Sequence, residues 1–481
     1  MLRKALPLVA SSALLVACSG TDETATSTTT ATTSDSTATG GMGGSGGSAM
    51  GTGGGDATGG SGGASDAGLG TYCVPETVTT TTLGAGAYLI ETQHYALRAE
   101  TDQATAEDLA RLLEASWEGF SEYFEDAPAL AANERMDVRY FATFENWSAA
   151  ISADGGAVPQ NAGGLFLTST RRAYLYDQKN PYFNQVLLVH EAAHQFHLLG
   201  RASGRSLPFW YVEGIAEHLS RHDWDGSCAR LGRVPLMNWS DLPEEALADA
   251  QDGGIDVTAL TSGNGTPTRT ASWALVDYLE TGAPLPVRDG FHAFRKAYDM
   301  GDTDPMATFA SLVGTPGSLE SPIAAWLPTA QQPIRPIFLE WLHRGPTSVL
   351  AFSPVYFSLA VVKDASTHLE VTYEIPEAAT WRVGVVLGFD DTKSYKAVVV
   401  GQDGALSSFT ATNGMAFWNA AGNAPAKLDA KHGSIAVDLE GGGKVKLTVN
   451  GVASTHDTVF TPKVGLAMSD TRVTFRDLAW Q

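Results

Sequence analysis

Hydrophobic and polar positions alternate in three different ways along this chain. An apolar stretch fills 5–17 behind Leu2-Arg3-Lys4, and from Ser19 to about Gly70 large apolar residues all but vanish among Thr, Ser, Gly and Ala. A helical period then dominates to about residue 346, and beyond Phe352 the period drops to two. In the middle region the pattern predicts an amphipathic helix over 105–124, with Thr105-Ala106-Glu107-Asp108 approximating a capping box. It predicts strands over 87–97, 136–141 and 164–176. A buried helix is expected over 184–199, where Val186-Leu187-Leu188-Val189 supplies an apolar side, no breaker intervenes, and Gly200 is a suitable stop. A second helix is expected over 208–221 with Pro208 near its first turn. Further helices are expected over 273–280, 291–299, 306–312 and 334–343.

The chemistry concentrates in the 184–199 helix. His190-Glu191-Ala192-Ala193-His194 places two imidazoles at i and i+4, one turn apart on one helix face, so both can converge on a single Zn²⁺ at about 2.0–2.1 Å. Glu213 follows nineteen positions after His194 and faces the same point from the next helix as a third ligand. Glu191 stands beside the first ligand without being one, where its carboxylate can take a proton from a water activated by the metal. Glu217, one turn beyond Glu213, can accept from the non-ligating nitrogen of a zinc His and so fix its tautomer. His197 lies nearly on the same face but two turns from His190, about 10 Å by rise, too far to share the ion, and is read as a packing or outer residue.

His-Glu-Ala-Ala-His-Gln-Phe, followed by Leu-Pro-Phe-Trp and Glu-Gly-Ile-Ala-Glu, resembles the gluzincin superfamily of metallopeptidases. More narrowly it is similar to the bacterial peptidase-MA-like domains of secreted and lipid-anchored proteins. The resemblance spans about 85–346 and implies an α+β zincin-like domain with His190, His194 and Glu213 as zinc ligands, Glu191 as base and Glu217 behind them. Peptide or protein would be the substrate. Where gluzincin aminopeptidases carry Gly-x-Met-Glu-Asn, this chain has Gly163-Gly164-Leu165-Phe166, which favours an endopeptidase. Similar peptidases pair an extended substrate with such a strand, making 165–168 the candidate peptide-binding edge. The oxyanion stabiliser is assigned to Arg269, in the neighbourhood of Ser272-Trp273 where similar domains place one, with Tyr211, Tyr278 and His292 as rivals.

The amino terminus reads as a secretory signal over 1–18 with a lipobox, Leu15-Val16-Ala17-Cys18, that leaves Cys18 free for acylation. Lipid-anchored bacterial proteins show this arrangement, and Ser19 after the Cys points to the outer membrane or cell surface. Residues 19–70 cannot bury a core and form a flexible tether reaching on the order of 40 Å. Loss of the signal leaves 29 basic against 53 acidic residues, a net charge of about −24 that disfavours nucleic acid and anionic lipid, so contact with membrane would run through the anchor alone. Cys73 and Cys228 are most simply a disulfide closing the start of the 71–346 domain onto the loop after the Glu213 helix, the alternative being two free thiols.

From 352 to 481 the chain reads as an all-β domain, with strands over 369–375, 381–389, 395–400, 434–439, 444–449 and 473–478. Ile435, Val437 and Leu439 point one way, and Asn450-Gly451 is a hairpin turn. The final stretch from Lys463-Val464-Gly465-Leu466 to Phe475-Arg476-Asp477-Leu478 resembles the closing strands of concanavalin-A-like jelly-roll sandwiches, which implies a possible glycan ligand. Three classes of function follow: a lipid-anchored zinc metallopeptidase with one Zn²⁺ per chain, a surface protein that binds glycan or protein and carries a structural or inactive zinc site, or a carbohydrate-active enzyme working through the sandwich.

Overall fold

A computed structural model describes residues 69–481, apart from 75–77, 160–161, 179–180, 233–241, 253–254, 263–267, 332–333, 338–339, 344–347, 364, 376–379, 403–404 and 424–431. Cys18, the signal and the tether lie outside the described residues. None of the described helices is long and apolar enough to cross a membrane. The fold mixes helices with several sheets.

The chain opens with β1 (Tyr72–Cys73) and then builds β2 (Thr79–Gly84), β3 (Ala87–Glu91) and β4 (Tyr95–Ala99). The stretch 87–97, expected as one strand, is a hairpin, because polar Thr92-Gln93-His94 turns the chain and Thr92 N–H closes on Tyr95 O at 3.0 Å. Helix α1 (Gln103–Phe124) follows, and its cap is Asp102, whose side chain accepts from Thr105 N–H. The capping box expected at Thr105 therefore sits three residues too late. Next come β5 (Met136–Phe141), α2 (Phe144–Ala153), β6 (Gly164–Leu167) and β7 (Arg172–Tyr176). These strands form a six-stranded sheet in the order β2-β3-β4-β5-β7-β6, parallel at β4/β5 and β5/β7 and antiparallel elsewhere. At the end of that order β6 is, among the described residues, the edge strand of this sheet.

Helix α3 (Pro181–Leu199) packs on this sheet, and α4 (Phe209–Ser220) packs on α3. Every residue of α3 from Val186 to His197 is buried, which explains an apolar character that runs around the helix. On one flank Phe196 meets Trp117 and Phe120 of α1, ring centroids 4.9 and 5.4 Å apart. Gln195 donates its amide to Asp137 O and Arg171 O, tying α3 to the sheet. β8 (His222–Trp224) and β9 (Cys228–Leu231) follow α4 in a small sheet of order β1-β9-β8, and Cys73 is bonded to Cys228 between β1 and β9.

A helical half completes this region: α5 (Leu242–Gln251), α6 (Val257–Ser262), α7 (Arg269–Asp277) running into a π-helical turn at Tyr278–Gly282, α8 (Leu285–Asp299), α9 (Pro305–Leu312) and α10 (Glu320–Trp326). α7 lies close against α4 because Gly214 has no side chain; a Cβ there would stand 2.6 Å from Ser272 O.

The helix expected over 334–343 is instead two strands, β10 (Ile334–Pro336) and β11 (Glu340–His343). Pro336 holds Arg335 extended and cannot donate within a helix, and both strands pair with β12 (Val349–Val362). The remaining strands are β13 (His368–Glu374), β14 (Arg382–Asp391), β15 (Ser394–Gly401), β16 (Ala405–Thr412), β17 (Met415–Asn423), β18 (His432–Gly441), β19 (Lys444–Val449), β20 (Val452–Asp457) and β21 (Gly465–Trp480). β21 pairs with β14 through its first half and with β13 through its second, so one twelve-stranded sheet folds back on itself. Val371, Ile435, Val437 and Leu447 on one layer meet Val383, Val385, Val398 and Val400 on the other in a single apolar core. This carboxy-terminal part is a β-sandwich.

Candidate metal centre

Burial and helix geometry bring three sequence-distant donors together. His190 and His194 project from one face of α3, and their Nε2 atoms stand 3.0 Å apart. Glu213 reaches across from α4 with Oε2 3.3 Å from His190 Nε2 and Oε1 3.3 Å from His194 Nε2. One donor atom from each of the three residues can be chosen so that all lie within 4.8 Å of one another, close enough to converge on a single metal ion. Among the described residues it is the one group of three or more His, Cys, Asp or Glu whose ligand atoms come this close. Glu213 Oε2 is buried and makes no hydrogen bond within the chain, an orphaned acceptor that a cation at this point would satisfy.

The electrostatics follow from burial. Loss of solvent pushes His190 down to about 3, which keeps the imidazole neutral and available as a ligand. For His194 burial opposes protonation, but the Glu213 carboxylate outweighs it and the group is raised. Glu213 shows the converse: burial works against its ionisation, yet His194 and His190 hold it well below the usual carboxylate range.

Glu191 is also buried, and its carboxyl is pushed up to about 7 by loss of solvent. Its fixed position comes from β6. Gly164 leaves the carboxylate room, since a Cβ there would stand 2.8 Å from Glu191 Oε1, and the nearby Phe166 backbone favours the ionised form against burial. The edge strand and the acid thus touch directly, and the 165–168 segment lies at the site.

Glu217 Oε1 lies 3.6 Å from His190 Nδ1, too long for a hydrogen bond, and Nδ1 is buried without a partner. Glu217 is engaged instead by Arg221 Nη2 at 2.6 Å and by the guanidinium of Arg269. Arg269 Nε is also 3.9 Å from Glu213 Oε2, so this cation stands between two carboxylates of α4 and its forked head is occupied by Glu217. Arg221 carried no sequence signal beyond its place one turn after Glu217. The rivals for the oxyanion role lie elsewhere: Tyr211 donates to Asp299, His292 is exposed beside Glu280, and Tyr278 packs on Trp326. His197 pairs with Asp299 at 2.9 Å, away from the triangle.

No family model and no curated protein matches the chain. Solved structures similar to part of it include a carbohydrate binding module from Bacillus subtilis, 16% identical, covering 31% of this chain and 96% of that one with a TM-score of 0.27. A homodimeric agglutinin from chicken liver is 13% identical over 26% of this chain and 96% of its own, TM-score 0.19. An alginate lyase from Alteromonas sp. 272 is 10% identical over 29% of this chain and 88% of its own, TM-score 0.21.

Proposed function

We propose that this chain is a zinc-dependent metallopeptidase, held outside the cytoplasm by a lipid on Cys18. The convergence of His190, His194 and Glu213 on one buried point carries the reading. Two imidazoles and a carboxylate suit zinc, and three protein ligands leave a position open, as in catalytic sites of this metal. When bound, zinc would supply a Lewis acid that polarises a carbonyl and makes water a stronger acid.

The chain's own residues supply the rest. Glu191 takes the proton of the attacking water and passes it to the leaving nitrogen; a carboxyl raised to about 7 is matched to proton transfer near neutral pH. The edge strand β6, whose Gly164 lies against that carboxylate, accepts an extended peptide as an added strand beside it. A chain gripped by its backbone along a strand favours endopeptidase action. Substitution Glu191→Gln tests the reading: the variant keeps zinc and loses cleavage of unfolded casein, whereas cleavage at the wild-type rate would remove Glu191 as base.

A second reading, glycan binding by the sandwich, is favoured by one exposed patch. Trp418 on β17 is 45% exposed, the Arg382 guanidinium lies 5.2 Å from its ring centroid, and Arg382 pairs with Asp470. An open indole beside a charged fork offers a stacking face and hydrogen-bond partners for a sugar. Trp418→Ala in the full chain abolishes retention on immobilised polysaccharides if this reading holds; equal retention by wild type and variant would reject it.

A further inference from the structure

The two metal-bearing helices are joined at a point that neither ligand touches. Asp299, the last residue of α8, is buried and accepts three hydrogen bonds, one from α3, one from just beyond α3 and one from α4. His197 Nε2 reaches Oδ1 at 2.9 Å from the last turn of α3, and Arg201 Nε reaches Oδ2 at 3.0 Å from just beyond it. Tyr211 donates its hydroxyl to Oδ1 at 2.9 Å from the first turn of α4. His197 is three residues after His194, and Tyr211 is two residues before Glu213. One carboxylate therefore fixes the separation of α3 and α4 at the height where each presents its donor.

The chemistry of the cluster suits a rigid joint. Burial works against ionisation of Asp299, yet the hydrogen bond from His197 and the charge of Arg201 hold its carboxyl below the usual range. A buried carboxylate with three donors is costly to disturb, because removing it strands those donors in the interior. The aromatic packing agrees: His197 stacks on Phe124 at 4.6 Å, and Tyr211 meets His197 edge-on at 5.7 Å.

We propose that Asp299 is a positioning residue of the metal centre, clamping α3 to α4 through His197, Arg201 and Tyr211 so that the donor triangle is set before metal arrives. This rests on the metal-centre reading above. A site held in its binding geometry loses little conformational freedom on metal uptake, and groups behind the ligands commonly control about 10–100-fold in metal affinity.

The test is zinc affinity of the folded full chain, measured by competition with a chromophoric chelator, for wild type, Asp299→Asn and Tyr211→Phe. Circular dichroism checks that each is folded. Asp299→Asn is expected to raise the zinc dissociation constant about tenfold, and Tyr211→Phe, which keeps the ring and removes one donor, about threefold. Should Asp299→Asn not fold, Tyr211→Phe carries the test. Dissociation constants within about twofold of wild type in the folded variants, even with lowered melting temperatures, would overturn the clamp and leave Asp299 a packing residue. Absence of zinc binding by wild type would instead remove the metal centre, and the clamp with it.

Discussion

Gly164 and Glu191 are in mutual contact: a Cβ built on the glycine would stand 2.8 Å from Oε1 of the acid. The edge strand thereby sets where the base lies. Gly164→Ala is expected to push the carboxylate aside while leaving His190, His194 and Glu213 in place. Its kcat on casein should fall about 10–100-fold with zinc affinity unchanged, since displacements near 1 Å carry costs of that order. Steady-state kinetics beside a zinc titration check both halves, and an undiminished kcat would detach Gly164 from the chemistry.

The Cys73 to Cys228 bond closes a loop of 155 positions and pins the start of the domain beside the strand that leaves α4. Cys73→Ser with Cys228→Ser should lower stability by about 2–4 kcal/mol, chiefly by enlarging the freedom of the unfolded chain. Thermal unfolding of wild type, with and without reductant, gives the comparison. Equal melting temperatures for the oxidised and substituted proteins would count against it.

His222 gives a pH dependence with a definite sign. Its ring is fully buried, Nδ1 contacts Ser220 O at 2.7 Å, Nε2 has no partner, and burial pushes the group down to about 4. Between that value and about 6.5 the unfolded chain binds a proton that the folded one refuses, so stability falls as pH drops through this window. His222→Gln cannot titrate. From pH 7 to pH 4 the wild-type melting temperature should fall more than that of the variant, by a few degrees. Parallel curves would show that His222 does not report on acid unfolding.

The donor triangle was legible because a helix turns local spacing into geometry: His190 and His194 at i and i+4 must share a face, and Glu213 lies in the next helix. Asp299 was not, since it meets His197 across 102 positions and no periodicity records that contact. Arg269 could be placed near the site, but its engagement with Glu217 depends on the approach of α7 to α4 that Gly214 permits. In the sandwich the strongly alternating β18 and β19 were readable. β16 and β20, rich in Ser and Thr, were not, nor was β12, where Ser353-Pro354 interrupts the pattern and the register shifts before Phe357. The 334–343 stretch was misread because helical spacing of its apolar residues outweighed the prolines.

Zinc titration of the metal-stripped chain, wild type beside Glu213→Ala, bears most directly on the metal centre. One zinc per wild-type chain is expected, with affinity lowered at least about a hundredfold in the variant, more than the loss of an outer partner brings. Equal binding by both proteins, or none by wild type, would contradict the joint grip of α3 and α4 on a single ion.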